Sequence, residues 1–176
     1  MPSAAVRGRI PFFYFKGIES MYLTRTLAII LFVFCSAQVS AQQIHIVNAE
    51  ARIFNPDVIY VKPGDNVRFV NMTSHDAVSI NQVPLPDGQV YEGMLPEGAD
   101  GWKSKMGADF TLQMDIEGIY PYVCIPHIGF GMVGVIVVGE PVNVDAAMDA
   151  ARANLTGPYR RLIGKILKVQ RAAKKG

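Results

Sequence analysis

Cys124, His127 and Met132 follow one another in the spacing C-x2-H-x4-M, and His75 stands 49 positions upstream of the cysteine. One thiolate, one imidazole and one thioether thus share a short loop, and a second imidazole can reach it from elsewhere in the chain. Two His, one Cys and a weak axial Met make up the donor set of a blue-copper electron-transfer site. Such a set passes one electron and makes or breaks no bond. Zinc also accepts Cys and His, but its structural sites usually recruit more than one Cys and no Met. A Cys–His nucleophilic pair needs an orienting Asn or Asp and an oxyanion hole. The sequence around Cys124 offers neither, so no enzyme activity is expected.

Taken singly these residues say little. A lone Cys is most often a small buried hydrophobe, and a lone His is usually structural. The fixed spacing to His127 and Met132 makes Cys124 a ligand. The run Gly129-Phe130-Gly131 lets backbone pass close to a metal, which favours Met132 as a ligand over plain core. His45 lies on a strand-like run without such a motif and is read as an ordinary histidine.

The elements that must position the loop are short. Residues 43–48 (QIHIVN), 57–62 (DVIYVK), 66–71 (NVRFVN) and 109–114 (DFTLQM) read as strands from their alternation or β-branching. Residues 118–124 (GIYPYVC) and 132–138 (MVGVIVV) are strand-like runs on either side of the loop, so a hairpin can turn its three donors to one point. Pro63-Gly64-Asp65 is a turn, with φ fixed at Pro and free at Gly. Pro121 suits an edge or a bulge. Short strands punctuated by Gly and Pro, without helices between them, argue for an antiparallel β-sandwich. The irregular stretch 81–102 reads as loop with a turn of helix. After Pro141 the period changes: Asn143 is placed to cap a helix running to about Ala153, and Gly157-Pro158 ends it. Residues 159–173 form a second helix whose apolar face is Leu162, Ile163, Ile166, Leu167 and Val169. The class is all-β with two C-terminal α-helices.

Residues 1–41 are set apart as an extension and a signal peptide. Arg25 precedes the apolar run Leu27 to Cys35, and Val39-Ser40-Ala41 is a small-residue site with cleavage expected after Ala41. The nine-residue run is too short to span a bilayer, so no stable membrane anchor is expected. Bulky Phe34 before Cys35 argues against a lipoprotein signal, and Met21 competes with Met1 as the start. The 135 residues that remain suit one domain, 42–141, with a helical extension, 142–176, packed on it. Cys35 leaves with the leader, so Cys124 must pair with another chain, stay a free thiol or bind metal. A free thiol is a liability in an oxidising compartment, which favours metal. Residues 42–141 hold five Lys+Arg against twelve Asp+Glu, a net of −7, and residues 142–176 hold eight against two, a net of +6. A basic helical region resting on an acidic body accounts for this, and export argues against nucleic acid as a partner.

With these residues in place the chain resembles the pseudoazurins, small blue-copper proteins of the cupredoxin family. The similarity runs through Phe54-Asn55-Pro56, Val61-Lys62-Pro63-Gly64-Asp65, His75, Met94-Leu95-Pro96-Glu97-Gly98-Ala99, Lys103-Ser104-Lys105, the Cys124 to Met132 loop and the helical tail. It implies an eight-stranded Greek-key cupredoxin sandwich with one copper near one end, held by His75, Cys124, His127 and Met132. It also implies a periplasmic single-electron carrier whose partners are redox proteins such as copper nitrite reductase or a cytochrome. A copper-binding protein for storage or delivery is the other reading. One enclosed four-ligand site, rather than exposed Met/His-rich runs, favours the carrier.

Three departures from the family stand out. Asp76 follows the first His ligand where Asn is usual, and Ile125, before Pro126, replaces the common Thr, so both ends of the side-chain tie between the two ligand loops differ. The backbone N–H of Asp76 is still expected to point at the Cys124 sulfur, and a carboxylate there should favour oxidised copper. The spacing from His75 to Cys124 is longer than usual, with the extra residues in 81–92 expected to form a rim beside the copper end. The family often rings its docking face with lysines, whereas residues 42–141 are acidic apart from Lys103 and Lys105, which makes a partner with an acidic face less expected. Electrons are expected to leave by the edge of His127, through an apolar patch of Met94, Ile128, Gly129 and Phe130 with Leu95 and Pro96. Trp102 reads equally as core or as patch margin.

Overall fold

The computed structural model describes residues 41–175; residues 1–40 of the expected leader lie outside them. Eight strands form two four-stranded sheets. The first has the order β2 (Ile53–Asn55), β1 (Ile44–Glu50), β4 (Asp65–Val70), β6 (Phe110–Met114). The second has the order β3 (Val58–Val61), β8 (Val133–Val138), β7 (Gly118–Val123), β5 (Val78–Ser79). The two-residue β5 and three-residue β2 are too short to show a period, and the sequence did not reveal them.

The sheets are mixed rather than antiparallel. β1 runs parallel to β4, and β3 runs parallel to β8. The cause is local: β2 and β3 are separated only by Pro56 and Asp57, yet belong to different sheets. A chain that switches sheets at a corner cannot keep hairpin pairing on both sides of it. Pro121 sits one residue beyond the β5–β7 pairing, where β7 has run past its short neighbour. The missing N–H there costs no ladder bond.

β7 and β8 are buried along their whole length because both faces are covered. Tyr120, Tyr122, Ile136 and Val138 turn inward against Val47, Phe54, Val67 and Phe69 of the facing strands. Ile119, Val123, Val133, Val135 and Val137 turn outward. The outer set is roofed by α1 (Val144–Asn154) and α2 (Arg161–Ala173), which bring Ala147, Met148, Ala151, Leu162, Ile166 and Val169. Each large apolar side chain buried there contributes about 1.5–3 kcal/mol. The period-3.6 face read from the sequence is thus the roof of a sheet, with Ile163 and Leu167 at its half-buried margin. Gly134 is required opposite Tyr122, since a Cβ would stand 2.4 Å from the ring.

Asn143 occupies the position before α1, but its side chain makes no cap. It accepts the Ile119 N–H at 2.7 Å and donates to the carbonyls of Met94 and Ile119, both at 3.2 Å. One amide therefore joins the start of the tail, the 94–96 loop and the outer end of β7. Asn143→Ala leaves these groups without partners and should destabilise the fold by about 2–3 kcal/mol, read as a lower urea midpoint with an unchanged slope. The tail is also tied by charge: Lys165 and Lys168 both reach Asp57, whose carboxyl is held below its ordinary value. His45 Nε2–H donates to the Asp65 carboxylate on the neighbouring strand at 2.8 Å, as expected of a structural histidine.

Candidate metal centre

The loop that follows β7 is closed by its own backbone. Cys124 N–H donates to the Met132 carbonyl at 2.9 Å, and Met132 N–H returns to His127 O at 3.3 Å. Between them a 3-10 turn, Ile128–Phe130, ends at Gly131, whose φ of 84° is left-handed. That tight turn swings His127 back over the cysteine. His75 comes from the segment after β4, where its N–H donates to Met72 O at 2.8 Å and its carbonyl accepts from Gly107 N–H at 3.0 Å.

The donors converge. Nδ1 of His127 lies 3.4 Å from Cys124 Sγ, and Nδ1 of His75 lies 3.7 Å from it. Ligand atoms of His75, Cys124 and His127 all fall within 4.8 Å of one another. An imidazole and a thiolate sharing one first-row ion, with bonds of about 2.05 and 2.3 Å at a near-tetrahedral angle, stand about 3.6 Å apart. The observed spacing fits one ion between them. Met132 is fully buried in the same inner core as Cys124 and lies directly across the hairpin from it, its carbonyl accepting the Cys124 N–H. His75 is 5% exposed and the sulfur residues 0%, while His127 is only partly buried.

Burial pushes the Cys124 thiol up to about 11, partly offset by the neighbouring backbone of Asp76 and His127. At neutral pH the metal-free thiol is protonated, and an entering metal must displace that proton. Burial also lowers His75, reinforced by the charge of His127, which keeps it in the neutral form that ligates.

The tie between the two ligand loops is made differently from the side-chain pair of the resemblance. Asp76 Oδ1 accepts the backbone N–H of Ile125 at 2.7 Å, and Asp76 is 5% exposed. Ile125 needs no hydroxyl because its backbone serves, and its side chain packs toward the outer core. Pro126 is exposed on the loop.

Ile128 is partly buried, Gly129 and Phe130 are exposed, and Phe130 lies 6.3 Å ring to ring from His127. Met94 does not join them. It is 0% exposed, packed in the outer core, and its carbonyl is held by Asn143. Pro96 meets Gly118 at the start of β7, whereas the metal loop begins at its end. Six residues of strand put these sites about 20 Å apart. Trp102 is half-buried at the margin of the inner core, 6.1 Å from Tyr122. The 81–92 stretch forms a 3-10 turn, Ile80–Gln82, and a small loop closed by a Pro84–Val90 bridge. It reaches the metal end through Tyr91, 5.4 Å from Tyr159, on the tail turn that touches the loop turn. Two arginines at the loop had no sequence signal: Arg52, over Phe130, and Arg161, beside Gly131.

Residues 41–139 match the model of copper binding proteins of the plastocyanin/azurin family. The chain is 34% identical over 116 residues to pseudoazurin of Paracoccus pantotrophus, covering 63% of this chain and 72% of that protein. The crystal structure of native pseudoazurin from Hyphomicrobium denitrificans superposes with a TM-score of 0.56 at 32% identity, covering 72% of this chain and 98% of that one. A β-sandwich with a Cys–His–His centre at one end and a family match over its whole sheet region define a copper-binding cupredoxin. The chain belongs to the plastocyanin/azurin family and, within it, to the pseudoazurins, with copper as its cofactor.

Proposed function

We propose that this protein is a periplasmic single-electron carrier, with one type 1 copper held by His75, Cys124, His127 and Met132. A copper ion bound there supplies the one-electron change. The chain's own residues fix its surroundings: the closed 124–132 loop and the buried His75 hold the donors, and the Asp76 carboxylate ties the two ligand loops through the Ile125 N–H. Donors already in place leave little to rearrange when the charge changes. The observation that carries the reading is the asymmetry of burial. Three donors are sealed, and His127 alone meets the surface, beside exposed Gly129 and Phe130. An electron therefore has one short way out.

Residues 1–41 act as the export leader, removed after Ala41, and 42–176 form the mature carrier. No helix among the described residues is long and apolar enough to cross a membrane. Partners are redox proteins that accept brief contact with a small apolar patch, a copper nitrite reductase or a cytochrome among them. Stopped-flow mixing of the reduced protein with oxidised copper nitrite reductase and with a c-type cytochrome tests this. Second-order transfer that saturates weakly and leaves copper bound is expected from at least one. Copper leaving for a competing apo-protein, with no transfer to either, would identify a delivery protein.

A further inference from the structure

Phe130 and the arginines beside it play no part in holding metal. Phe130 is 55% exposed. The guanidinium carbon of Arg52 lies 4.1 Å from its ring centroid, within cation–π reach. Arg52 stands in the turn between β1 and β2, directly after Ala51, whose φ of 49° is left-handed. Arg161 reaches the same loop from the first residue of α2, at Gly131, the next residue after Phe130. Its Cδ lies 2.1 Å from where a Gly131 Cβ would stand, so only glycine lets this side chain cross the loop. Both arginines are exposed, and among the described residues neither enters an ion pair. Asp76, the carboxylate beside the sulfur, is buried and occupied by Ile125 N–H.

We propose that Arg52 and Arg161 form a guanidinium bracket around Phe130 that selects a redox partner presenting carboxylates beside an apolar contact. The proposal rests on the carrier reading above. A guanidinium lying on an aromatic face keeps its N–H edge free for a bidentate bond to a carboxylate. An ammonium is a point charge and cannot do both. The net of −7 over residues 42–141 opposes an acidic partner at a distance, but charges beyond a Debye length of about 8–10 Å are largely screened. At contact the two local cations set orientation. A count over the β-domain overlooks this because Arg161 belongs to the tail.

Benzene-1,3,5-tricarboxylate, a redox-inert trianion with planar carboxylates on an apolar ring, is the probe. It is titrated into the copper(I) protein while amide and Phe130 ring resonances are followed. The expected result is shifts at Arg52, Phe130, Gly131 and Arg161. Affinity should fall at least about fivefold in Arg52→Gln and in Arg161→Gln, without recovery in Arg52→Lys. Absence of shifts at the metal end, shifts centred on Lys103 and Lys105 or on the lysines of α2, indifference to the Gln changes, or full recovery with Lys would each overturn the proposal. Stopped-flow electron transfer by the parent and every variant is recorded separately. A failed carrier reading appears there, and the titration still judges the bracket.

Discussion

Cys124→Ser should abolish the intense thiolate-to-copper charge-transfer colour while the fold survives. The band needs a sulfur-to-copper bond, and Cys124 is the one cysteine among the described residues. Its Sγ sits 3.4 and 3.7 Å from the two Nδ1 atoms, so a hydroxyl leaves the imidazoles in place but removes the anionic donor. Serine is close to cysteine in size, and the fold should pay only for a buried hydroxyl. The variant should also lose most of the stability that copper confers. A ligand at a thousandfold excess over its Kd adds about 4 kcal/mol, on the order of 10 °C in Tm for a chain of this length. Parallel absorption spectra and thermal scans with and without copper check both. A blue Ser variant, or one stabilised by copper as strongly as the parent, would refute Cys124 as a ligand.

Asp76→Asn should raise the reduction potential. Asn keeps the oxygen that accepts Ile125 N–H, so the tie at 2.7 Å survives and only charge is removed. With a carboxylate present, copper(II) and the thiolate are brought close to neutrality, and reduction leaves a net negative charge in a buried site. Without it, reduction ends near neutral. Two unit charges about 7 Å apart at an effective dielectric of about 20 interact by roughly 2 kcal/mol, which for one electron is about 90 mV. Solvent at His127 screens part of this, so a rise of tens of millivolts is the expected outcome by protein-film voltammetry. A fall, or no change beyond a few millivolts with the copper spectrum intact, would show that Asp76 acts only as a hydrogen-bond acceptor.

The donor set, the β class, six of the eight strands and both helices were legible in the residues. The reason is that each is written locally. C-x2-H-x4-M is a loop spacing, alternation is a period of two, and the tail's apolar face is a period of 3.6. Tertiary structure decided what depends on residues far apart. It paired β1 with β4 and β3 with β8 in parallel, because a corner at Pro56 moves the chain between sheets. It sent Met94 to the far end of β7 although its loop looked like part of the docking patch. It turned Asn143 from a cap into a three-way tie. It replaced a side-chain link by an Asp76 carboxylate on a backbone N–H, which no inspection of residue 125 as a side chain reveals. It also brought Arg52 and Arg161, 109 positions apart, to one exposed loop, the first over the Phe130 ring and the second beside Gly131. Donor chemistry is a property of residue types and short spacings, and the sequence alone determined it. The charge and shape of the electron exit are sums over neighbours in space, and only the fold chooses the neighbours.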